Sequence, residues 1–296
     1  MNIREIAKTV DSEFKEYFKN DESIKSIFVA GSMALDDYIE RTDNDYDIRA
    51  VSTHVTAKQL LDFENFLAEL SQRLTTDDIG VNYSCLVGPV NHNISTKEKN
   101  FLIHAMIHEE KQLDDFLPIT HKYSYAKRYR VVDGEDCIGR FRTIRYTIDD
   151  ILNSHEGLNY CIDMLKKREY RYLTWNVEGG NCEFTFNTDE MPEDTVCENC
   201  FYSTNKFLQN LRNYCGWNGI RMPKNQLEAA MKLLGEEYDC KEVRQVMECL
   251  VTKNEGKLKK MTSDPIRMTV PILQKFGENV KDLDKFYNKP EQEYGD

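Results

Sequence analysis

Asp45 and Asp47 sit two residues apart in Asn44-Asp45-Tyr46-Asp47-Ile48-Arg49-Ala50-Val51, a spacing that lets both carboxylates act on one object. In a β-strand successive side chains alternate faces, so the two carboxylates point one way and Tyr46 and Ile48 point the other, into a core. The strand rise puts the two Cβ atoms roughly 6–7 Å apart. That suits two carboxylates gripping one hard cation, or bridging two cations about 3.5–4 Å apart. Upstream, the apolar run Ile24–Ala30 ends in Gly31-Ser32. A glycine-serine turn at a strand end offers backbone N–H groups and a hydroxyl to a phosphate. Two simpler readings compete. One is an acidic β-turn, because Asp and Asn are common turn residues. The other is an EF-hand built on Asp43, Asp45 and Asp47, and it fails. Ile48 stands where the loop needs Gly, and His54 where it needs the closing Glu.

The elements that must position these groups are legible in the first third of the chain. Ile3, Ile6, Ala7, Val10, Phe14 and Phe18 recur at helical spacing and predict a helix over about 2–19. Ile24–Ala30 and Tyr46–Val51 read as strands, Thr56–Leu74 as an amphipathic helix, and Ile79–Val87 as a third strand ending at Gly88-Pro89. This order fits a small mixed α/β core. Residues 96–116 read equally as helix or strand. Helices are expected from about 147, and over Phe201–Tyr214, Gln226–Leu234, Lys241–Lys253 and Val270–Phe286, punctuated by Gly and Pro. The expected organisation is a catalytic core over 1–120, a basic, aromatic and cysteine-containing middle over 121–200, and a helical region over 201–296.

The motif Gly31-Ser32-x(12)-Asp45-Tyr46-Asp47 resembles the signature of the polymerase-β-type nucleotidyltransferase superfamily. Gly31-Ser32-Met33-Ala34 with Asn44-Asp45-Tyr46-Asp47-Ile48-Arg49-Ala50-Val51 is similar to a family of predicted bacterial and phage nucleotidyltransferases. Its members carry Gly-Ser-Arg-Ala and Ser-Asp-Tyr-Asp-Val-Arg-Gly-Val. A weaker similarity lies in Gly219-Ile220-Arg221-Met222-Pro223, Leu234-Gly235-Glu236-Glu237-Tyr238 and Glu242-Val243. The Asp-x-Asp of sugar-nucleotide glycosyltransferases lacks the upstream Gly-Ser strand end. The resemblance implies an α/β (α+β) nucleotidyltransferase core with a mostly helical C-terminal region. It implies transfer of a nucleoside monophosphate from an NTP to an acceptor hydroxyl, with release of pyrophosphate, dependent on Mg²⁺ or Mn²⁺. Asp45 and Asp47 would bind metal, Gly31 and Ser32 would hold phosphates, and Arg49 would contact a phosphate or brace its strand.

The chain departs from the superfamily at the third carboxylate, which is expected on the following strand. Gly80-Val81-Asn82-Tyr83-Ser84-Cys85-Leu86 holds none, and Asn82 and Ser84 occupy the face in question. Asp78, just ahead of that strand, is the expected substitute, with Asp77 in reserve. His104 and His108 are four apart and lack the His-Glu-x-x-His order, so they read as ordinary histidines. The one basic stretch holds Lys122, Lys127, Arg128, Arg130, Arg140, Arg142 and Arg145 among tyrosines and Phe141. It suits either an RNA or triphosphate contact or a solvated face. Cys197 and Cys200 have zinc-knuckle spacing, with Cys182 upstream and no well-spaced fourth ligand, so a structural Zn²⁺ competes with ordinary free thiols.

Composition bounds the partners. A length of 296 residues allows one large or two modest domains. The net charge of −12 argues against a long nucleic-acid track, which wants a basic face. No apolar run reaches the length of a membrane span. Nine cysteines without an export signal suggest reduced thiols and a cytoplasmic setting, in a bacterium or a phage-infected host cell. The expected partners are therefore an NTP and an acceptor that is an RNA end, a protein or a small molecule. Two other classes stay open: a non-catalytic nucleotide-binding protein of the same fold, and a zinc-stabilised interaction module. Removing either Asp45 or Asp47 is expected to spare the fold, because it relieves their mutual repulsion.

Overall fold

The computed structural model describes residues 1–35, 38, 40, 43–85, 97–115, 125, 126, 128–146, 148–178, 181–217, 226–280 and 292–295. Of these, 43, 114, 115, 142–146, 148, 171–178, 181–184, 215–217, 280 and 292–295 are described by backbone alone.

Helix α1 (Ile3–Phe18) begins at a capping box in which Asn2 and Glu5 satisfy each other's backbone N–H groups. Its apolar stripe, Ile3, Ile6, Ala7, Val10, Phe14 and Phe18, is buried as the helical spacing requires. Helix α2 (Ala57–Leu74) starts at the Thr56 cap and buries Phe63, Leu67, Leu70 and Leu74. The two helices meet through Phe14, whose ring lies edge-on to Phe63 at 5.7 Å. Each such fully buried side chain contributes about 1.5–3 kcal/mol.

Both helices cover one face of a five-stranded sheet. Its strands are β1 (Ile24–Ala30), β2 (Asp43–Ser52), β3 (Ile79–Ser84), β4 (Lys99–Glu109) and β5 (Tyr129–Gly134), in the order β3-β4-β2-β1-β5. Strand β1 runs antiparallel to β2 and β5, whereas β4 runs parallel to β2 and β3. Tyr46 and Ile48 are buried on the helix-covered face with Ile27, Val29, Phe101 and Ile103, as strand alternation from Asp45 and Asp47 demands. Phe28 and Ala30 pack on the opposite face with Leu113, Tyr125, Ile138 and Phe141. Residues 96–116, open to either reading, resolve over Lys99–Asp115: strand β4 leads into the short helix α3 (Glu110–Asp115).

The chain divides into two compact units, Met1–Arg142 with Tyr172–Phe186, and Thr143–Arg171 with Asn187–Asp296. The middle segment 121–200 drawn from sequence is thus shared between the two. In the second unit, α4 (Ile148–Lys167), α5 (Val196–Trp217) and α9 (Pro265–Val280) pack together, with the Phe207 and Phe276 rings 3.9 Å apart. Helices α6 (Gln226–Leu234), α7 (Lys241–Thr252) and α8 (Glu255–Met261) complete the helical region. A strand pair that the sequence analysis did not anticipate, β7 (Glu169–Glu178) with β8 (Asn181–Glu190), forms its own two-stranded sheet. β6 (Thr143–Tyr146) pairs with β9 (Gln292–Gly295). No described helix is long and apolar enough to cross a membrane.

Candidate active site

The site forms where β1 ends and β2 begins. Register places Ala30 opposite Asp47, so the turn leaving β1 passes beside the Asp47 carboxylate. Gly31 opens that turn at φ +80°, a left-handed conformation that glycine adopts without steric cost. A Cβ added there would lie 2.7 Å from Oδ2 of Asp47. The glycine is therefore required twice, by backbone conformation and by the nearness of the carboxylate. Its own N–H donates to the Arg128 carbonyl (3.0 Å), and the Ala34 N–H closes the turn onto the Gly31 carbonyl (3.3 Å). The turn amides of Ser32 and Met33 donate to no backbone carbonyl among the described residues. Gly31 thus shapes the turn, and Ser32 and Met33 supply the donors that suit a phosphate.

An ionic brace supports the turn from beneath. Arg130 donates through Nε to the Ala34 carbonyl (3.2 Å), and through Nη2 to Asp11 (2.8 Å) and the Tyr46 hydroxyl (3.1 Å). Tyr46 in turn donates to Asp11 (2.6 Å), and burial together with the Asp11 charge pushes the phenol well above its ordinary value. Arg128 donates to the Ser32 carbonyl (3.3 Å). The two arginines from the middle of the basic stretch therefore serve this turn. Lys122 and Lys127 lie outside the described residues, and the side chains of Arg142 and Arg145 outside the described side chains.

Asp45, Asp47 and His104 come together on the sheet face that α1 and α2 leave uncovered. Each offers a ligand atom, and these atoms all lie within 4.8 Å of one another. Asp45 is exposed, and the Asp47 side chain keeps 25% of its surface. His104 arrives from β4, in parallel register with Asp47, and its Nδ1 lies 2.9 Å from Asp47 Oδ1. On sequence alone His104 reads as an ordinary histidine on either element; the pairing of β4 with β2 is what sets it beside Asp47.

Arg49 fixes this group. It is buried at 3% exposure, with Nη2 on Asp47 Oδ1 (2.7 Å), Nε on the Tyr125 hydroxyl (3.2 Å), and Nη1 on the carbonyls of Ile48 (3.0 Å) and His104. Of the two roles open to Arg49, these are the contacts of a brace. Burial alone would raise the Asp47 carboxyl. The Arg49 charge and the His104 hydrogen bond outweigh it and hold the group below its usual range, ionised at neutral pH. This reverses the expectation for Asp47, whose removal strands a buried guanidinium at a typical cost of about 3–5 kcal/mol. Asp45 is exposed and acts on Arg49 only through its charge, behind Tyr125 and Asp47, so its removal is expected to cost less.

Asp78 is not brought to the pair. Its carbonyl accepts from the Lys99 N–H (3.1 Å) at the start of β3. The row through Asp45 crosses β4 at Leu102 and β3 at Asn82. With about 3.3 Å per residue along the strand and 4.8 Å between strands, Asp78 lies roughly 16 Å from Asp45 along the backbone. Asp77, one residue further back, is no nearer. Ser84 falls on the row of Asp47 and His104. Among the described residues, the group's third metal-ligating side chain is therefore the imidazole of His104.

Cys197 and Cys200 lie in the first turns of α5, buried at 2% and 0% exposure. Burial raises the Cys197 thiol and pushes Cys200 up to about 12. The Cys182 side chain lies outside the described ones, and among the described residues these cysteines belong to no three-ligand group.

No family model and no curated protein matches the chain. Among solved structures it is similar to the spectinomycin adenyltransferase AAD(9) from Enterococcus faecialis, solved with ATP and spectinomycin. The TM-score is 0.51 at 11% sequence identity, covering 95% of this chain and 100% of that one. The chain has the nucleotidyltransferase-type fold, a mixed-sheet core with a helical C-terminal region.

Proposed function

We propose that this protein is a divalent-metal-dependent nucleotidyltransferase of the bacterial and phage family that its Gly31-Ser32 and Asp45-Tyr46-Asp47 motifs resemble. The acceptor hydroxyl attacks the α-phosphorus of an NTP. A new phosphate ester forms, the bond to the bridging oxygen of the β-phosphate breaks, pyrophosphate leaves, and the hydroxyl proton passes to solvent. The observation that carries the reading is the meeting of Asp45, Asp47 and His104 beside the Gly31 turn.

The donor set, two carboxylates and an imidazole within reach of one another, fits a divalent cation held by Asp45 and Asp47. Such a cation supplies charge neutralisation to the triphosphate and the leaving pyrophosphate. The chain's own part is orientation. Arg49 and His104 fix the Asp47 carboxylate, the Arg130–Asp11 pair fixes the turn, and the Ser32 and Met33 amides with the Ser32 hydroxyl face the phosphates. ATP as donor and a small molecule as acceptor follow the structural neighbour, which was solved with ATP and spectinomycin. The net charge of −12 and the internal engagement of Arg128 and Arg130 weigh against an RNA acceptor, with a protein hydroxyl next in line.

A second reading, nucleotide binding without transfer, draws on the lack of a third carboxylate beside the pair among the described residues. One experiment separates the two. Pyrophosphate release is followed from ATP with Mg²⁺ or Mn²⁺ and a panel of hydroxyl acceptors, for the wild type and for Asp45→Asn. Release that falls by about 10²-fold or more in a variant that still melts as the wild type does supports transfer. ATP binding by the wild type with no release under any metal supports the second reading.

A further inference from the structure

We infer, on the metal-dependent reading above, that Tyr125 is a positioning residue for the Asp47 carboxylate, acting through Arg49. Tyr125 lies 76 positions beyond Arg49 in the chain. Its ring is 6% exposed and packs edge-on against Phe28 at 5.4 Å. Both belong to the cluster that holds Ala30, Val51, Leu113 and Ile138 on the sheet face opposite α1 and α2. Core packing on that face therefore sets where the hydroxyl stands. It stands 3.2 Å from Nε of Arg49 and accepts that N–H.

The guanidinium is held at each of its nitrogens. Nη1 donates to the carbonyls of Ile48 on β2 and His104 on β4. Nη2 donates to Oδ1 of Asp47 (2.7 Å). Nε is the remaining corner, and the Tyr125 hydroxyl occupies it. A guanidinium carries its donors in a rigid planar fork, so the direction of the Nη2 bond follows from where the other two nitrogens are held. That bond sets the carboxylate, whose Oδ2 lies beside the Gly31 turn. Removing the hydroxyl leaves a buried N–H without this acceptor, on a residue only 3% exposed, where little solvent reaches to replace it. The fork then turns toward another acceptor and Oδ1 moves with it. The same stretch of chain serves the phosphate turn by a separate route. The Arg128 carbonyl accepts from the Gly31 N–H (3.0 Å), and the Arg128 side chain donates to the Ser32 carbonyl (3.3 Å). Those bonds do not pass through Arg49, so a change at the Tyr125 hydroxyl separates the carboxylate from the turn.

The test removes one oxygen. Tyr125→Phe keeps the ring and its packing on Phe28, and Cys200→Ala, in the helical region, is a destabilised control that leaves Arg49 alone. Free Mn²⁺ is measured by electron paramagnetic resonance as protein is added. The Arg49 Nε–H signal, assigned by its loss in Arg49→Lys, is followed by ¹⁵N NMR, and pyrophosphate release is followed across ATP concentrations. Tyr125→Phe is expected to weaken Mn²⁺ by about threefold to tenfold, and to lower kcat by about tenfold with a smaller change in the KM for ATP. Its Arg49 Nε–H should shift and exchange faster with solvent. Cys200→Ala should match the wild type in all of these. Wild-type Mn²⁺ affinity and kcat in Tyr125→Phe, or losses no larger than those of the control, make Tyr125 a core residue only and overturn the inference. So does an Arg49 Nε–H that exchanges in the wild type as fast as that of an exposed arginine, a result that needs no variant should Tyr125→Phe fail to fold. If Asp45→Asn still abolishes release in either case, the transferase reading survives alone. If the wild type binds Mn²⁺ and releases no pyrophosphate, the transferase reading fails, and Mn²⁺ affinity with the Nε–H signal decides the inference. If the wild type binds no Mn²⁺, the inference falls.

Discussion

Replacing Gly31 with alanine tests how the turn and the carboxylate depend on each other, and the structure separates the cost into two parts. The first is conformational. Gly31 stands at φ +80°, and a residue with a Cβ pays about 1–2 kcal/mol for a left-handed conformation. The second is a collision, since the new methyl would lie 2.7 Å from Asp47 Oδ2. The carboxylate must move, yet it is pinned through Oδ1 by Arg49 at 2.7 Å and His104 at 2.9 Å, so moving it disturbs a buried ion pair. Together these predict a loss of about 2–4 kcal/mol for Gly31→Ala, of the order expected for a strained backbone site plus a disrupted buried contact. The clean assay is a double-mutant cycle by urea denaturation, with Gly31→Ala measured in the wild type and in an Asp47→Ala background. With the carboxylate gone, only the conformational part should remain, so the cost of the glycine change should fall by about 1 kcal/mol or more. Transfer activity of the single variant should drop by about 10²-fold. Identical costs in both backgrounds, or a Gly31→Ala enzyme as active as the wild type, would refute the view that the turn and the carboxylate are packed as one unit.

The remaining predictions concern the surroundings. Arg130→Met should cost about 1–2 kcal/mol, because it removes the hydrogen bonds to Asp11 and the Ala34 carbonyl beneath the turn at a partly exposed position. It should also raise the KM for the nucleotide more than it lowers kcat, which steady-state kinetics across ATP concentrations would reveal. Zinc should be found at less than about half an equivalent per chain in protein purified without chelators. Cys200→Ala should leave that content unchanged while lowering stability by about 1–2 kcal/mol from lost core packing, read by elemental analysis and thermal melting.

Local pattern made the first third of the chain legible. The apolar stripe of α1, the helix after Thr56 and the alternation of Asp45, Tyr46, Asp47 and Ile48 are each dictated by neighbours within a few residues, and each appears as expected. The Gly31 turn was legible for the same reason, although of the Gly31 and Ser32 groups offered to a phosphate the Gly31 N–H is engaged by the Arg128 carbonyl. What escaped was everything that depends on strand order. Asp78 looked close because it lies just before a strand expected to pair near β2. In space β4 intervenes between β3 and β2, and the parallel register sets Asp78 at the far end of its row. His104 looked ordinary because its partner lies 57 positions away in the chain. A helical reading of residues 96–116 would also have placed His104 and His108 on one face, so periodicity gave no warning. Arg49 is the one signal that was present and underused. An arginine two residues beyond a carboxylate on the same strand face, with aromatic and aliphatic residues around it, is more easily satisfied by that carboxylate and by backbone carbonyls than by a ligand. Arg128 and Arg130 follow the same logic, because a guanidinium with five donors near open carbonyls settles on the fold's own turns. In this chain the charges that the sequence offers to a phosphate are largely spent on holding Asp47 and the Gly31 turn in place. On the proposed function, a triphosphate would be left to backbone amides, to the Ser32 hydroxyl and to a cation beside Asp45 and Asp47.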